Sequence, residues 1–371
     1  MATDPHPIPT RAFWVEAPGR GSVRTESIPS KVESQVRVRT LYSGISRGTE
    51  GLVFRGEVPA SQHQAMRAPF QEGDFPAPVK YGYCNVGQVE EVGGRVEPLL
   101  ARALEGQVVF SLHPHQEQFW APPESLTPLP GDLPPDRAIL AANMETALNA
   151  VWDGAPGPGD RIVVVGGGVV GLLVARLCRD LPGADVTVVD VNPLRKPVAQ
   201  ALGVGFVLVD AGDTEDGPSR RRETGVDSAS GADVVFHASG NARGLVRALS
   251  VAGDEATVVE VSWYGARSVP LPLGEAFHSR RLTLRSSQVG RIPPTRVPRW
   301  SHARRMAVAL ELLQDPQLDL FITGESTLEE LPDVMAVLGG TAAAEEAGRA
   351  SGLPHPGQTL CHRIRYPRSG S

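Results

Sequence analysis

Residues 163–190 read VVVGGGVVGLLVARLCRDLPGADVTVVD, and no other stretch of the sequence says as much about its architecture. The β-branched run that opens it is typical of a buried parallel strand. Residues 166–171 then fit a G-x-G-x-x-G turn, and the residues that follow favour a helix. A second apolar strand ends in Asp190, about 20 residues after the glycines. Strand, glycine turn, helix, strand and acid in this order predict a dinucleotide-binding unit.

Each position of the turn has a predicted role. Gly166 permits the tight turn, Gly168 lets the backbone approach the pyrophosphate, and Gly171 lets the helix pack close to the strand. Val169 and Val170 begin the helix, whose N-terminus attracts the anion. The alternative is a tight strand–helix turn that binds nothing.

The acid after the second strand predicts the cofactor. Asp190 is expected to accept hydrogen bonds from the adenosine ribose, and a carboxylate repels the 2′-phosphate of NADP. NAD is therefore the predicted cofactor. Arg195 and Lys196 follow closely and would soften this preference, so NADP stays open.

Composition limits the function classes. The 371 residues suggest two domains, and 41% hydrophobic residues are enough for real cores. No run approaches the ~18–20 apolar residues of a membrane span, and the N-terminus lacks an export signal. Three widely spaced cysteines make no disulfide framework, which favours a cytoplasmic protein. The net charge of −6 disfavours nucleic acid as a partner.

The sequence predicts a discontinuous two-domain organisation. Short strands with frequent Gly and Pro suggest a small barrel-like β domain over residues 1–142. Alternating helices and strands predict a doubly wound parallel sheet over residues 143–290. Residues 291–371 are expected to return to the first domain. Two polar or Ala/Gly-rich stretches, 213–231 and 340–357, are predicted to be mobile surface segments.

Two further motifs carry a family resemblance. They are SGISRGTE at 43–50 and GYCNVGQV at 82–89. With the glycine turn, they make the chain resemble the medium-chain dehydrogenase/reductase superfamily over nearly its whole length. The resemblance implies an α/β protein with a GroES-like β-barrel catalytic domain and a Rossmann domain. It further implies an enzyme that transfers hydride between NAD(P) and an alcohol or carbonyl, and a homodimer.

The chain departs from the superfamily at its catalytic zinc. The ligand positions fall on the 46–50 segment, which has no cysteine, on Tyr83 in place of a histidine, and near Ala142. The four-cysteine lobe that holds a structural zinc is also missing. We therefore predict a zinc-independent member, similar to the subgroup that contains bacteriochlorophyllide dehydrogenase. A residual metal site is the alternative, and it would use Cys84, His113, His115 or Glu145.

Without zinc, a side chain must stabilise or protonate the alkoxide. Tyr83 is the first candidate acid, with Arg47 or Lys80 as the cation that would lower its pKa. Thr49 falls where the superfamily has a hydroxyl that relays protons, and Glu50 would orient Arg47 or join that relay. In each case a purely structural role is the alternative.

Histidines offer a second source of acid–base chemistry. His113 and His115 flank a proline after a predicted strand, and either could titrate near neutral pH. Histidines at strand ends are more often structural.

Further cofactor contacts are expected outside the glycine turn. Thr146 falls where the superfamily contacts the nicotinamide. Ser239 and Gly240 follow one predicted strand and Ser262 follows the next, at the edge of the sheet where nucleotides bind.

Eight arginines lie between Arg280 and Arg305. They would suit either a pocket for a phosphorylated or carboxylated substrate, or a solvated face or interface.

Three functions stay open at this point. The first is a zinc-independent dehydrogenase or carbonyl reductase that acts on a polyol, a sugar-like compound or an anionic small molecule in biosynthesis. The second is an NADPH-dependent reductase of activated C=C bonds. The third is a non-catalytic NAD(H)-binding sensor or structural subunit, which the fold alone does not exclude.

Overall fold

The computed structural model describes residues 6–210, 229–340 and 354–367. The chain divides into two compact units, residues 1–142 with 306–371 and residues 143–305. Residues 213–228 and 341–353 of the two predicted mobile segments lie outside the described residues.

The N-terminal part of the first unit is mostly strand. Its strands and helices are β1 (Ile8–Ala17), β2 (Arg20–Ile28), β3 (Val36–Ile45), α1 (Arg47–Phe54), β4 (Glu72–Gly73), β5 (Val79–Lys80), β6 (Asn85–Val92), α2 (Pro98–Leu104), β7 (Val108–Ser111), β8 (Gln118–Ala121) and β9 (Leu126–Pro128). One sheet has the order β2-β1-β5-β4, and β3 pairs antiparallel with β6 and β8 in another. The apolar faces of this second sheet enclose a core around Val38, Val109 and Phe119.

The second unit alternates strands and helices. Its elements are α3 (Ala141–Gly154), β10 (Arg161–Val165), α4 (Val169–Arg179), β11 (Asp185–Asp190), α5 (Lys196–Ala201), β12 (Gly205–Leu208), β13 (Ala232–His237), α6 (Ala242–Val251), β14 (Ala252–Glu260) and β15 (Thr283–Ser286). All five strand pairs are parallel, in the order β12-β11-β10-β13-β14-β15. This is the order of doubly wound dinucleotide-binding sheets, which confirms the predicted α/β class.

The C-terminal part completes the first unit. It comprises α7 (His302–Leu312) from Met306 onward, β16 (Ile322–Thr327), α8 (Leu331–Leu338) and β17 (Cys361–Arg365). β17 pairs antiparallel with β3 and parallel with β16, which extends the second sheet to β16-β17-β3-β6-β7-β9.

The boundary of the C-terminal part differs from the expected one. Residues 291–305 belong to the second unit, so the return to the first unit starts at Met306 rather than at 291. The physical reason is local packing. The ring of Trp300 lies 4.6 Å from that of Trp152, and the Arg296 guanidinium lies 5.2 Å over Trp152.

Helix α1 of the first unit was not predicted. The region was expected to be β structure, but α1 forms directly after Ser46. The carboxylate of Glu50 accepts the Ser46 N–H at 2.7 Å, which supplies a partner for a free donor at the helix start.

Within the described residues, none of the helices has both the length and the apolar character needed to cross a bilayer.

Candidate functional site

Two close backbone approaches shape the glycine turn after β10. Gly166 has φ +109°, and a Cβ on it would lie 2.6 Å from the backbone nitrogen of Ser239. A Cβ on Gly171 would lie 1.9 Å from the carbonyl oxygen of Gly166. Side chains are therefore excluded at both positions. Because Ser239 follows β13, the turn lies where the strand order of the sheet reverses, which is where such sheets bind ligands.

The middle glycine of the turn faces open space instead. Among the described atoms, none lies within 4 Å of a Cβ built on Gly168. Gly168 directly precedes α4, whose first residues Val169 and Val170 are half-buried. The first N–H groups of a helix have no intrahelical partners, so α4 offers donors and the positive end of its dipole here. This arrangement suits the close approach of a phosphate.

Asp190 ties the turn to the next strand. Its carboxylate accepts the N–H of Gly167 at 2.5 Å and the N–H of Asn192 at 2.7 Å. Each carboxylate oxygen has a second lone pair, so both can still accept a ribose hydroxyl. The neighbouring Arg195 is buried, whereas Lys196 is exposed.

The loops after β13 and β14 meet, while their predicted contact with the cofactor stays a prediction. The N–H of Gly240 donates to Ser262 Oγ at 3.0 Å, and Ser239 borders Gly166 as described above. Thr146 lies half-buried in α3. Its contact with a nicotinamide stays a prediction.

Sequence reasoning missed a polar cluster beneath these loops. His237 ends β13 and Glu260 ends β14, and the strand register places the two opposite each other. His237 Nδ1 lies 2.8 Å from Glu260 Oε2, and Tyr264 donates to the same oxygen at 2.9 Å. The available signal was an imidazole and a carboxylate at the ends of two apolar strands.

In the first unit, Tyr83 lies beside Ser46. The Tyr83 hydroxyl donates to Ser46 Oγ at 2.5 Å. Burial raises the pKa of Tyr83 well above its usual value, and nearby Tyr81, Cys84 and Glu50 raise it further. The expected lowering of this pKa by a cation is therefore wrong.

The two candidate cations are engaged elsewhere. Lys80 is fully buried and binds Glu26 at 3.0 Å and Glu72 at 2.5 Å. Arg47 donates to the carbonyl of Pro356 at 2.6 Å, so Glu50 does not need to orient it. Both sets of contacts join residues that are distant in sequence: strand pairing brings the two carboxylates to Lys80, and the C-terminal segment brings Pro356 to Arg47.

Glu50 instead begins a buried hydrogen-bonded chain. Its Oε2 lies 2.8 Å from His115 Nε2, and His115 Nδ1 lies 2.7 Å from Ser43 Oγ. Ser43 Oγ in turn lies 3.0 Å from the Tyr366 hydroxyl. Glu50, His115, Ser43 and Tyr366 are each at most 3% exposed, so this series of hydrogen bonds is shielded from water. Thr49 lies half-buried in α1.

His113 does not suit acid–base chemistry near neutral pH. Its ring stacks on Phe119 with centroids 3.6 Å apart. Burial lowers the pKa of His113 to about 3, so its imidazole stays neutral in the folded protein. The expectation of a general acid at this position is wrong for that reason.

The arginine-rich segment is largely structural. Six of its arginines have separate partners: Arg280 with the Ala252 carbonyl, Arg281 with Glu255, Arg285 with the Asp153 carbonyl, Arg296 with Trp152, Arg304 with Trp300 and Arg305 with Glu145. These contacts favour the structural alternative over a common anion pocket.

The described residues do not fit a zinc ion. None of their His, Cys, Asp and Glu side chains form a group of three or more that could hold a metal. Burial raises the pKa of Cys84 well above its usual value, which disfavours the thiolate that zinc requires. Glu145 is bound by Arg305 at 3.0 Å, and His115 by Glu50.

Comparison with known proteins shows that the chain is similar to dehydrogenases. Residues 169–307 match the family model described as zinc-binding dehydrogenase. D-guloside 3-dehydrogenase of Escherichia coli K12 is 26% identical over 301 residues, which cover 77% of this chain and 83% of that protein. These two matches support the resemblance to the medium-chain dehydrogenase/reductase superfamily.

Other similar proteins align over different lengths. (R,R)-butanediol dehydrogenase of Bacillus subtilis 168 is 27% identical over 213 residues, so the match spans 50% of this chain and 60% of that protein. An NADP-bound structure from Sinorhizobium meliloti 1021, assigned as a zinc-binding dehydrogenase, has a TM-score of 0.71 at 20% identity. It covers 96% of this chain and 99% of its own, which shows a common fold.

Proposed function

We propose that this chain is a zinc-independent, NAD-dependent oxidoreductase that acts on an alcohol or ketone. The observation that carries the proposal is the glycine turn, with Gly168 open to space at the start of α4 and Asp190 at the end of the neighbouring strand. Relatives named for a butanediol and a guloside support a polyol or sugar-like substrate.

The nucleotide is assigned to NAD through Asp190. Its carboxylate lies at the end of β11, where it would accept ribose hydroxyls and repel a 2′-phosphate. The NADP bound to the S. meliloti protein keeps NADP as the cofactor to test against it. When bound, the nicotinamide supplies the two-electron donor or acceptor.

Ser46 and Tyr83 take the place of the metal in this proposal. Tyr83 donates its proton to Ser46 Oγ, which leaves the Ser46 hydroxyl proton free to bond a substrate oxygen. The Glu50 carboxylate accepts the Ser46 N–H, which fixes the backbone of Ser46. An alkoxide that forms on the substrate takes the Ser46 proton, Tyr83 replaces that proton, and a proton from solvent then restores the Tyr83 phenol.

The raised pKa of Tyr83 favours one direction of reaction. A phenol with a pKa well above 10 still protonates an alkoxide, because an alkoxide is the much stronger base. Removal of a proton from an alcohol would need the phenolate before the reaction begins, whereas the raised pKa keeps Tyr83 in the phenol form that protonates an alkoxide. The site therefore suits carbonyl reduction.

Three observations support zinc independence. The resemblance aligns Tyr83 with a histidine ligand, burial raises the pKa of the Cys84 thiol, and Glu50 and His115 bind each other. No step of the proposed chemistry needs a metal.

The test is NADH oxidation with a panel of ketones and ketoses, after treatment with a chelator. We expect turnover without zinc and a kcat about 100-fold lower in Tyr83→Phe, since a positioned acid contributes about 10²–10⁴-fold. Tyr42→Phe is the matched control, because the ring of Tyr42 contacts Arg363 and is kept in phenylalanine. Activity that returns only with added zinc, or equal kcat values for the two variants, would contradict the proposal.

A further inference from the structure

Three side chains of the second unit lie in line at the edge of the parallel sheet. Ser239 Oγ lies 2.6 Å from His237 Nε2, and His237 Nδ1 lies 2.8 Å from Glu260 Oε2. Hydroxyl, imidazole and carboxylate in this order form the arrangement that activates serine nucleophiles on unrelated folds. It is recognised by geometry and not by position in the sequence.

The imidazole is held in one orientation. His237 is completely buried, and the register of β13 against β14 places Glu260 opposite it. Glu260 also accepts the Ser262 N–H at 2.7 Å and the Tyr264 hydroxyl at 2.9 Å, which fixes its carboxylate. Because a carboxylate only accepts, Nδ1 must carry the proton, so in the neutral ring Nε2 is free to accept from Ser239.

The serine lies on an exposed turn from strand to helix. Ser239 is exposed and sits between β13 and α6, and a Cβ on Gly244 would lie only 2.2 Å from Ser239 Oγ. The serine therefore borders the first turn of α6, a helix of 10 residues. The positive end of that helix dipole stabilises negative charge that develops next to it.

We propose that Ser239 is an activated nucleophile that takes an acyl group from small activated carboxylic esters. Ser239 Oγ forms a bond to the carbonyl carbon while its proton passes to His237 Nε2. The bond from the carbonyl carbon to the leaving oxygen then breaks, and that oxygen leaves with the proton. Water attacks the acyl-serine by the same route, which releases the acid and restores Ser239.

The proposal stands apart from nucleotide binding. It needs only groups of the second unit that are already in contact without a ligand, and it survives if the chain binds neither NAD nor NADP. Its tests are therefore run without nucleotide.

The probe is p-nitrophenyl acetate. The folded protein is expected to release p-nitrophenolate in a burst of about one equivalent, and mass spectrometry of the trapped protein should place the acetyl group on Ser239. Ser239→Ala and His237→Gln should slow this release at least tenfold, and Glu260→Gln should slow it less. Ser301→Ala is the matched control, because Ser301 is an exposed serine at the start of another helix, and its Oγ accepts the Arg304 N–H.

Two results would overturn the proposal. One is acetylation of the wild-type protein at other residues and not at Ser239, which needs no variant to interpret. The other is equal release by Ser239→Ala and Ser301→Ala, with circular dichroism showing both to be folded. Either result would leave the three side chains as a hydrogen-bonded anchor for the loops.

Discussion

Substitution of two glycines of the same turn should separate folding from nucleotide binding. In Gly171→Ala the new Cβ would lie 1.9 Å from a backbone carbonyl oxygen, so α4 or the turn must move. In Gly168→Ala the new Cβ meets open space, and the backbone at φ −76°, ψ −177° is one that alanine adopts freely. The pyrophosphate is expected to occupy that open space.

The two substitutions should change different quantities: Gly171→Ala lowers the Tm, and Gly168→Ala lowers the NADH affinity. Overpacking costs roughly 1–3 kcal/mol, and each kcal/mol lowers Tm by about 2–4 °C in a unit of this size, so Gly171→Ala should lose about 2–12 °C. For Gly168→Ala, a weaker helix N-cap costs about 0.5–1 kcal/mol and the stiffer unfolded chain returns about 0.4–1 kcal/mol, which nearly cancel. Its NADH affinity should fall at least tenfold, or about 1.4 kcal/mol.

Thermal unfolding and isothermal titration with NADH measure the two effects. Gly131→Ala is the matched control, because a Cβ there also meets open space, but in the other unit, and it should change neither quantity. If Gly168→Ala is folded and binds NADH as tightly as the wild-type protein, the pyrophosphate does not lie at this turn. The assignment of the turn would then be wrong.

Two further predictions concern single side chains. Asp190→Ala should weaken NADH binding, because the lost bonds to Gly167 and Asn192 also loosen the turn. It should also narrow the NAD/NADP preference, measured as a ratio of Kd values. Tighter binding of NADP than of NAD by the wild-type protein would contradict the assignment. Burial lowers the pKa of His113 to about 3 in the folded state, below the 6.5 of a free imidazole. Between these two pKa values the unfolded chain binds one proton more than the folded protein. The free energy of unfolding therefore falls as the pH drops from 6.5 towards 3. His113→Phe keeps the stack on Phe119 and should make the free energy of unfolding depend less on pH, by up to about 1.4 kcal/mol per pH unit. Urea unfolding at several pH values measures this slope. An unchanged slope would show that His113 is protonated in the folded protein.

Local patterns predicted the nucleotide turn because its geometry is encoded locally. Gly166 and Gly171 are needed because other backbone atoms come too close to leave room for a side chain at either position. Their spacing in the sequence indicates this tight turn. The end of β11 at Asp190 follows from the apolar run before it. These features depend on a few neighbouring residues.

Partners that are distant in sequence could not be predicted in the same way. Lys80 was expected near Tyr83, but strand pairing places its ammonium between Glu26 and Glu72. The contact of His237 with Glu260 depends on the register of two parallel strands, and no single stretch of sequence encodes that register.

The most direct test of the central claim is titration of the chelator-treated protein with NADH and NADPH by fluorescence, with zinc measured on the same sample. NADH is expected to bind more tightly than NADPH to protein with less than stoichiometric zinc. Binding of neither nucleotide, or NADH binding that appears only after zinc is restored, would contradict that claim.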